Sequence, residues 1–207
     1  MMQAISGGAP GVDVGFLKGA KRAGLKTCGF APKKFEHDKV ERTEQKDLYG
    51  LVDSNAGHGT KDRMNVDQAD FLIAHRVNIE KSGRGVMQTR NYALFGDYVY
   101  HGEKKDDKVF SAEKYKMELP FATLTHRSDV WLNTDGKIPV IEVWGLHEEN
   151  KELTPDKFAD MAHDVAKILV KYKPKKVMVS GPTERTCKCE DLLEKFYMVV
   201  FTLATAR

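Results

Sequence analysis

A short apolar strand followed at once by a glycine-rich turn constrains the fold of this chain more than any other feature. Met2–Ser6 has the composition of a small strand, and Gly7–Gly11 reads Gly-Gly-Ala-Pro-Gly, which neither a helix nor a strand tolerates. A helix with three-to-four-residue apolar spacing runs from Asp13 to its glycine stop at Gly24, and Leu25–Phe30 is the next apolar segment. Strand, turn, helix and strand in this order predict the opening of a parallel α/β sheet.

The rest of the chain continues this alternation of strands and helices. Thr154-Pro155 has the residues of a helix start, with threonine as the N-cap and proline at the first helical position. Because parallel neighbours need helical crossovers, the sequence predicts a Rossmann-like α/β fold, a mostly parallel sheet with helices on both faces. The further predicted strands are Phe71–His75, Ile138–Trp144 and Lys176–Ser180.

Two long segments interrupt the alternation. Pro32–Thr60 is polar and rich in charge, which predicts a long loop. The segment from about 98 to 136 has no clear pattern and is interpreted as an insertion. Since 207 residues are typical of one domain, residues 1–207 are expected to form a single Rossmann-like domain that contains this insertion.

The composition and charge of the chain argue against nucleic acid and membranes as partners. Lys and Arg number 33 and Asp and Glu 30, and a net charge of +3 is too small for a dedicated nucleic-acid binder or a basic membrane anchor. No apolar run reaches the length of a membrane span, and the N-terminus lacks the pattern of a signal peptide. Three cysteines are an odd number, which favours a reducing, cytoplasmic location. Cys187 and Cys189 are too close for a zinc pair, so no metal site is predicted.

Small, turn-forming residues follow three of the predicted strands. These turns are Ser6-Gly7-Gly8, Ser82–Gly85 and Ser180-Gly181. The carboxyl ends of parallel strands share one edge of a sheet, where glycine turns and helix N-termini suit an anion such as phosphate. The spacing is neither that of a Walker loop nor that of the dinucleotide fingerprint. The sequence therefore predicts one cleft that holds a small anionic ligand and contains Gly7, Gly8, Gly11, Gly83, Gly85 and Gly181.

Four patches of sequence resemble the molybdenum cofactor carrier family. Residues 5–13, Ile-Ser-Gly-Gly-Ala-Pro-Gly-Val-Asp, are similar to its Ser-Gly-Gly-x-x-Gly-Val-Asp opening. The other patches are 65–70, 83–89 and 179–182, and they follow in the family's order. The resemblance extends to the Rossmann-like superfamily that also holds cytokinin-activating phosphoribohydrolases and the DNA-processing protein DprA. It implies a carrier of the molybdenum cofactor, a pterin phosphate, or otherwise of a nucleotide.

The resemblance and the glycine turns together imply a set of ligand-binding residues. This chain departs from the family where Lys61 and Asp62 replace Arg-Thr, where Arg84 interrupts a glycine pair, and where Thr183 follows Gly-Pro in place of arginine. Lys61, Arg84 or Arg185 is left to supply the cation. The implied ligand-binding residues are Ser6, Gly7, Gly8, Gly11, Asp13, Lys61, Asn65, Gly83, Arg84, Gly85, Thr89, Ser180 and Gly181.

Alternatives to the carrier function stay open at this point. A phosphoribohydrolase-like enzyme would cleave an N-glycosidic bond, but residues 82–88 carry Gln88 where those relatives have a glutamate. Binding of DNA would need a basic, aromatic groove. Asp13 is equally an ordinary acid at a helix N-terminus, and a homo-oligomer is left open. If the first turn holds phosphate, Gly8→Asp is expected to abolish binding with the fold largely intact.

Overall fold

A computed structural model gives the architecture, and it describes residues 2–77, 84–96, 122–123, 129–183, 185 and 188–206. A single 3₁₀ turn spans Lys33–Phe35. The elements in chain order are β1 Gln3–Ile5, α1 Val12–Arg22, β2 Lys26–Ala31, β3 Glu36–His37, β4 Val40–Glu41, α2 Glu44–Tyr49, β5 Leu51–Asp53, α3 His58–Gln68, β6 Phe71–Arg76, α4 Arg84–Phe95, β7 Ala122–Thr123, β8 Val130–Asn133, β9 Val140–Trp144, α5 Pro155–Tyr172, β10 Lys176–Ser180 and α6 Glu190–Thr205.

Eight strands form one sheet in the order β5-β2-β1-β10-β6-β9-β8-β7. The first six strands are parallel to one another, β8 pairs antiparallel with β9, and β7 pairs antiparallel with β8. All five strands predicted from the sequence are therefore found, and all are parallel. Within the segment from 98 to 136, β7 and β8 extend one edge of the sheet, and most of the remainder lies outside the described residues.

Helices cover both faces of the sheet, as predicted. Successive strand residues point to opposite faces, so Ala4 packs with α1, α5 and α6 while Ile5 packs with α3 and α4. The central strand β6 is buried at all six residues, because both of its faces are covered. The mostly parallel sheet with two helical layers confirms the Rossmann-like α/β fold class.

Two glycines let α1 and α6 approach closely. A Cβ at Gly15 would lie 2.6 Å from the Glu190 carbonyl oxygen, and one at Gly19 would lie 2.5 Å from that of Glu194. These glycines are four residues apart and so lie on one face of α1. The close packing brings the N-terminus of α6 next to that of α1, beside the first glycine turn.

The long loop predicted for Pro32–Thr60 is wrong. This segment contains a 3₁₀ turn, the β3–β4 hairpin, the helix α2, the sheet strand β5 and the first turn of α3. Its strands have two or three residues and α2 has six, which is too short for a hydrophobic period to appear in the sequence. The segment matters because it packs back onto the first glycine turn.

Candidate functional site

The candidate site lies where the order of the strands reverses. From β1 the chain moves outward to β2 and β5, and it then returns to β6 and β9 on the other side of β10. In open α/β sheets the crevice at the carboxyl ends of the strands at such a point is the usual place for a ligand. Gly7 and Gly8 follow β1 there, and Gly181 follows the neighbouring β10.

The first and third glycine turns meet at this edge. Gly11 forms an isolated antiparallel bridge with Thr183, and the Val12 amide donates to the Pro182 carbonyl at 3.4 Å. A Cβ at Gly181 would overlap the Val12 side chain, so the close approach requires glycine. Ser180 ends β10 in a buried position beside this contact.

The second turn shares the edge only in part. Gly83 lies outside the described residues, as does Ser82. Arg84 and Gly85 form the first turn of α4 and not a loop. A Cβ at Gly85 would meet nothing within 4 Å, so no close approach requires glycine there. Thr89 is buried and donates its hydroxyl to the Gly85 carbonyl at 3.0 Å, a bond within the same helix.

Backbone amides of the first turn already bind groups of this chain. The Ala9 amide donates to Asp13 Oδ2 at 3.2 Å, and the Gly11 amide donates to Glu190 Oε2 at 3.2 Å. Glu190 is also paired with Lys18, at 2.7 Å. The N-terminus of α1 is therefore stabilised by two carboxylates from within the protein. A bound anion at this edge must be met by side-chain cations in addition to any remaining amides.

Lys61 supplies a buried cation directly against the turn. Its Nζ lies 2.7 Å from Asp62 Oδ1 and 3.9 Å from Asp13 Oδ2, and its side chain is 5% exposed. A Cβ at Gly7 would overlap this ammonium group, so Gly7 makes room for Lys61. Burial raises the pKa of Asp13, while the charge of Lys61 opposes this shift and that of Asp62 adds to it.

Ser6 and Asn65 hold the backbone around the site. The Ser6 hydroxyl accepts from the Gly8 amide at 3.4 Å. Asn65 is fully buried, its Oδ1 accepts from the Phe30 amide at 2.7 Å, and its Nδ2 donates to the Phe30 carbonyl at 2.9 Å. Asn65 thus pairs with β2 as a neighbouring strand would, beyond the point where β1 ends.

Three further side chains surround the turn, and the sequence analysis missed all of them. They are His37 in β3, Arg42 just after β4, and Gln45 in α2. Burial, with a smaller contribution from the nearby charges of Lys61, His58 and Arg42, lowers the pKa of His37 to about 3. Their proximity shows that basic groups converge beside Gly7. The mistaken loop assignment hid these residues, and no local signal marks them.

Gln45 closes over the second glycine of the turn. Its Nε2 donates to the Gly8 carbonyl at 2.7 Å, which fixes the orientation of the amide. Gly8 has φ +76°, and a Cβ there would overlap Gln45 Oε1. Gly8→Asp would therefore strain the turn itself, and the expectation that this variant keeps a largely intact fold stays a prediction.

Two buried polar groups lie on neighbouring strands of the same edge. His75 is hydrogen-bonded to the Tyr197 hydroxyl in the layer between the sheet and α6. Farther along the edge, Glu142 pairs with the guanidinium groups of Arg76 and Arg90. The Arg76 guanidinium also lies 4.2 Å from the centre of the Trp144 ring.

Neither a metal cluster nor a membrane-spanning helix occurs among the described residues. No cluster of three or more His, Cys, Asp or Glu side chains suited to a metal ion occurs among the described residues. Within the same part of the chain, no helix is long and apolar enough to cross a membrane.

Comparisons with known proteins support the fold. No protein-family model matches the chain, and no curated protein matches it. The fold is similar to the crystal structure of a protein named "Putative molybdenum carrier protein" from Syntrophus aciditrophicus SB, with a TM-score of 0.57 and 16% sequence identity. The match covers 100% of this chain and 96% of that one. At this identity the likeness establishes a shared α/β fold.

Proposed function

We propose that this chain binds and carries a small anionic ligand, a pterin phosphate of the molybdenum-cofactor type, at the carboxyl edge of β1 and β10. The observation that carries the proposal is the presence of two cations at the Gly7–Gly8 turn: Lys61 lies against Gly7, and Arg42 lies close enough for its charge to lower the pKa of the neighbouring His37. The name of the structural neighbour, a molybdenum carrier, supports the choice of ligand class.

Charge at the turn is arranged so that an arriving anion can be accommodated. Lys61 is held by Asp13 and Asp62, and an anionic oxygen would compete with these carboxylates for its ammonium group. Burial raises the pKa of Asp13, which lowers the cost of protonating this carboxylate when a second negative charge approaches. Arg42 adds a cation whose charge acts at the same place.

The enzymatic alternative has weaker support from the geometry. Cleavage of an N-glycosidic bond needs a carboxylate free to face the sugar. Asp13 is the carboxylate at the turn with a raised pKa, but its Oδ2 accepts from the Ala9 amide at 3.2 Å and faces Lys61. These contacts suit a side chain that holds the loop, and they favour binding without chemistry.

Two measurements test the proposal. Native mass spectrometry of gently purified protein, followed by denaturing extraction, should reveal a co-purified pterin phosphate or nucleotide. Calorimetry should then show binding of neopterin monophosphate that weakens as salt concentration rises, because surface-accessible charges are screened. Absence of binding of any phosphorylated probe at millimolar concentration would refute the proposal.

A matched pair of arginine variants locates the cation. Arg42→Gln removes a charge at the turn and should weaken binding by about 1–3 kcal/mol, the range of a lost charge-assisted hydrogen bond. Arg22→Gln removes an exposed arginine at the far end of α1 and should leave affinity unchanged. Equal affinities of Arg42→Gln and the unmodified protein would place the anion elsewhere.

A further inference from the structure

Three buried polar atoms around the first glycine turn have no hydrogen-bond partner within the described part of the chain. They are His37 Nε2, Arg42 Nε and Gln45 Oε1. His37 is 2% exposed and Gln45 3% exposed, so both side chains are shielded from bulk solvent. Buried polar atoms are nearly always paired in folded proteins. Three unpaired atoms at one place therefore point to a ligand that pairs with them.

Two of the three side chains contact the same pair of glycines, and the third lies near one of these two side chains. Gln45 donates to the Gly8 carbonyl at 2.7 Å, and His37 is hydrogen-bonded to the Gly7 backbone. Arg42 lies close enough for its charge to lower the pKa of His37. The three residues come from one segment of ten residues, 36–45, that folds back over the turn.

The donor or acceptor character of each atom is defined. Gln45 Oε1 is an acceptor, because Nε2 is the atom that donates to Gly8. Arg42 Nε is a donor at every accessible pH. A pKa near 3 keeps His37 neutral at pH 7, and the hydrogen bond to the Gly7 backbone raises this pKa, as a carbonyl acceptor does. The other ring nitrogen, Nε2, is then an acceptor.

We infer that His37, Arg42 and Gln45 recognise a heterocycle edge that offers two donors and one acceptor. The 2-amino-4-oxopyrimidine edge, which pterins and guanine share, has this set: a ring N–H, an exocyclic amino group and a carbonyl oxygen. The inference rests on the proposed function and names the part of the ligand that gives specificity. Because the three atoms are covered, the ligand edge reaches them when segment 36–45 moves away from the turn and closes again.

A panel of nucleotides tests the recognition of the edge. Calorimetry on the full chain compares GMP with IMP, which lacks the amino group, and with AMP, which presents a different edge. We expect GMP to bind at least about tenfold more tightly than IMP, since a site built to pair a polar group rejects the analogue that lacks it. Neopterin monophosphate distinguishes the two sources of the edge: tighter binding than GMP assigns a pterin, and the reverse assigns a guanine nucleotide.

Two variants assign the preference to the named atoms. His37→Phe and Gln45→Leu each remove one acceptor. The variant that removes the acceptor of the amino group should reduce the GMP-to-IMP preference to about twofold or less, and the other should weaken GMP and IMP alike. Ribose 5-phosphate, which has no heterocycle, should bind both variants as it binds the unmodified protein. His163→Phe makes the same change at an exposed position of α5 and should leave every affinity unchanged. Circular dichroism tests whether each variant is folded. If a variant is unfolded, the ratio of GMP to IMP affinity in the unmodified protein still decides whether the amino group is recognised.

The outcomes separate the inference from the proposed function. Equal binding of GMP, IMP and AMP, with ribose 5-phosphate also bound, overturns the edge recognition and leaves the anion site in place. A preference for GMP that persists in both His37→Phe and Gln45→Leu also overturns it. Failure of ribose 5-phosphate and of every nucleotide and pterin to bind refutes the proposed function and the inference together.

Discussion

Replacement of Asn65 by leucine should destabilise the fold through β2. Leucine has the same number and branching of side-chain heavy atoms, but it cannot pair with the Phe30 amide and carbonyl, which Asn65 contacts at 2.7 and 2.9 Å. A buried group left without a partner costs about 1–3 kcal/mol, and Phe30 is only half-buried, so we take the lower half of this range for each group. The expected loss for the two groups together is roughly 2–4 kcal/mol of the free energy of unfolding.

Urea unfolding measured by circular dichroism gives this number directly. The midpoint should fall while the slope stays constant, and the melting temperature should fall by about 4–16 °C for a chain of this size. Asn65→Asp is the control, because it keeps an acceptor for the Phe30 amide but turns a lone pair towards the Phe30 carbonyl. Protonation of the introduced carboxylate restores a donor, so the loss of free energy of unfolding in Asn65→Asp should shrink as the pH falls. A loss below about 0.5 kcal/mol in Asn65→Leu would show that the pairing with Phe30 is unimportant.

Three further predictions concern a glycine in β2, the N-cap of α5 and acid sensitivity. Gly29→Ala should cost about 2 kcal/mol or more in urea unfolding, because Gly29 has φ +140° and a Cβ there would overlap the Ser6 carbonyl oxygen; a smaller loss would mean that the strand shifts freely. Thr154→Ala should cost about 1 kcal/mol, since the Thr154 hydroxyl accepts from the Lys157 amide at 3.2 Å and caps α5, whereas Thr154→Ser should cost little. Burial lowers the pKa of His75 from 6.5 to about 3, so the unfolded chain takes up the proton first as the pH falls. Stability should then decrease below about pH 6.5 by at most about 1.4 kcal/mol per pH unit from this residue, and His75→Phe should show a correspondingly shallower slope between pH 6.5 and 4.

The strands of the sheet were largely predictable from local sequence. Lys176–Ser180 was predicted with the observed bounds, and the strand Phe71–His75 differs from β6 by one residue. Strands covered on both faces are continuous apolar runs between turn residues, and this pattern is visible without a structure. The helix start at Thr154 was equally clear, because the cap and the following proline act within a few residues.

The order of the strands was not predictable in the same way. β10 lies between β1 and β6 although its residues are more than 100 positions away in the chain from the residues they pair with in either strand. Pairing of this kind depends on which apolar faces fit together across the whole domain, and no local pattern records it. The short elements of Pro32–Thr60 were missed for a related reason, since pieces of two to six residues gain their stability from packing and have no period of their own.

Some features of the candidate site were also predictable from local sequence, and others were not. Sequence alone determined that a glycine turn follows the first strand and that Asp13 is a candidate beside it, because glycine spacing and helix starts are local features. Lys61 was a candidate only through the resemblance to a known family. Only the tertiary structure brought His37, Arg42 and Gln45 onto Gly7 and Gly8, and it paired Asn65 with the backbone of β2. The physical reason is that a side chain acquires its role from the groups that surround it after folding, and those groups come from distant parts of the chain.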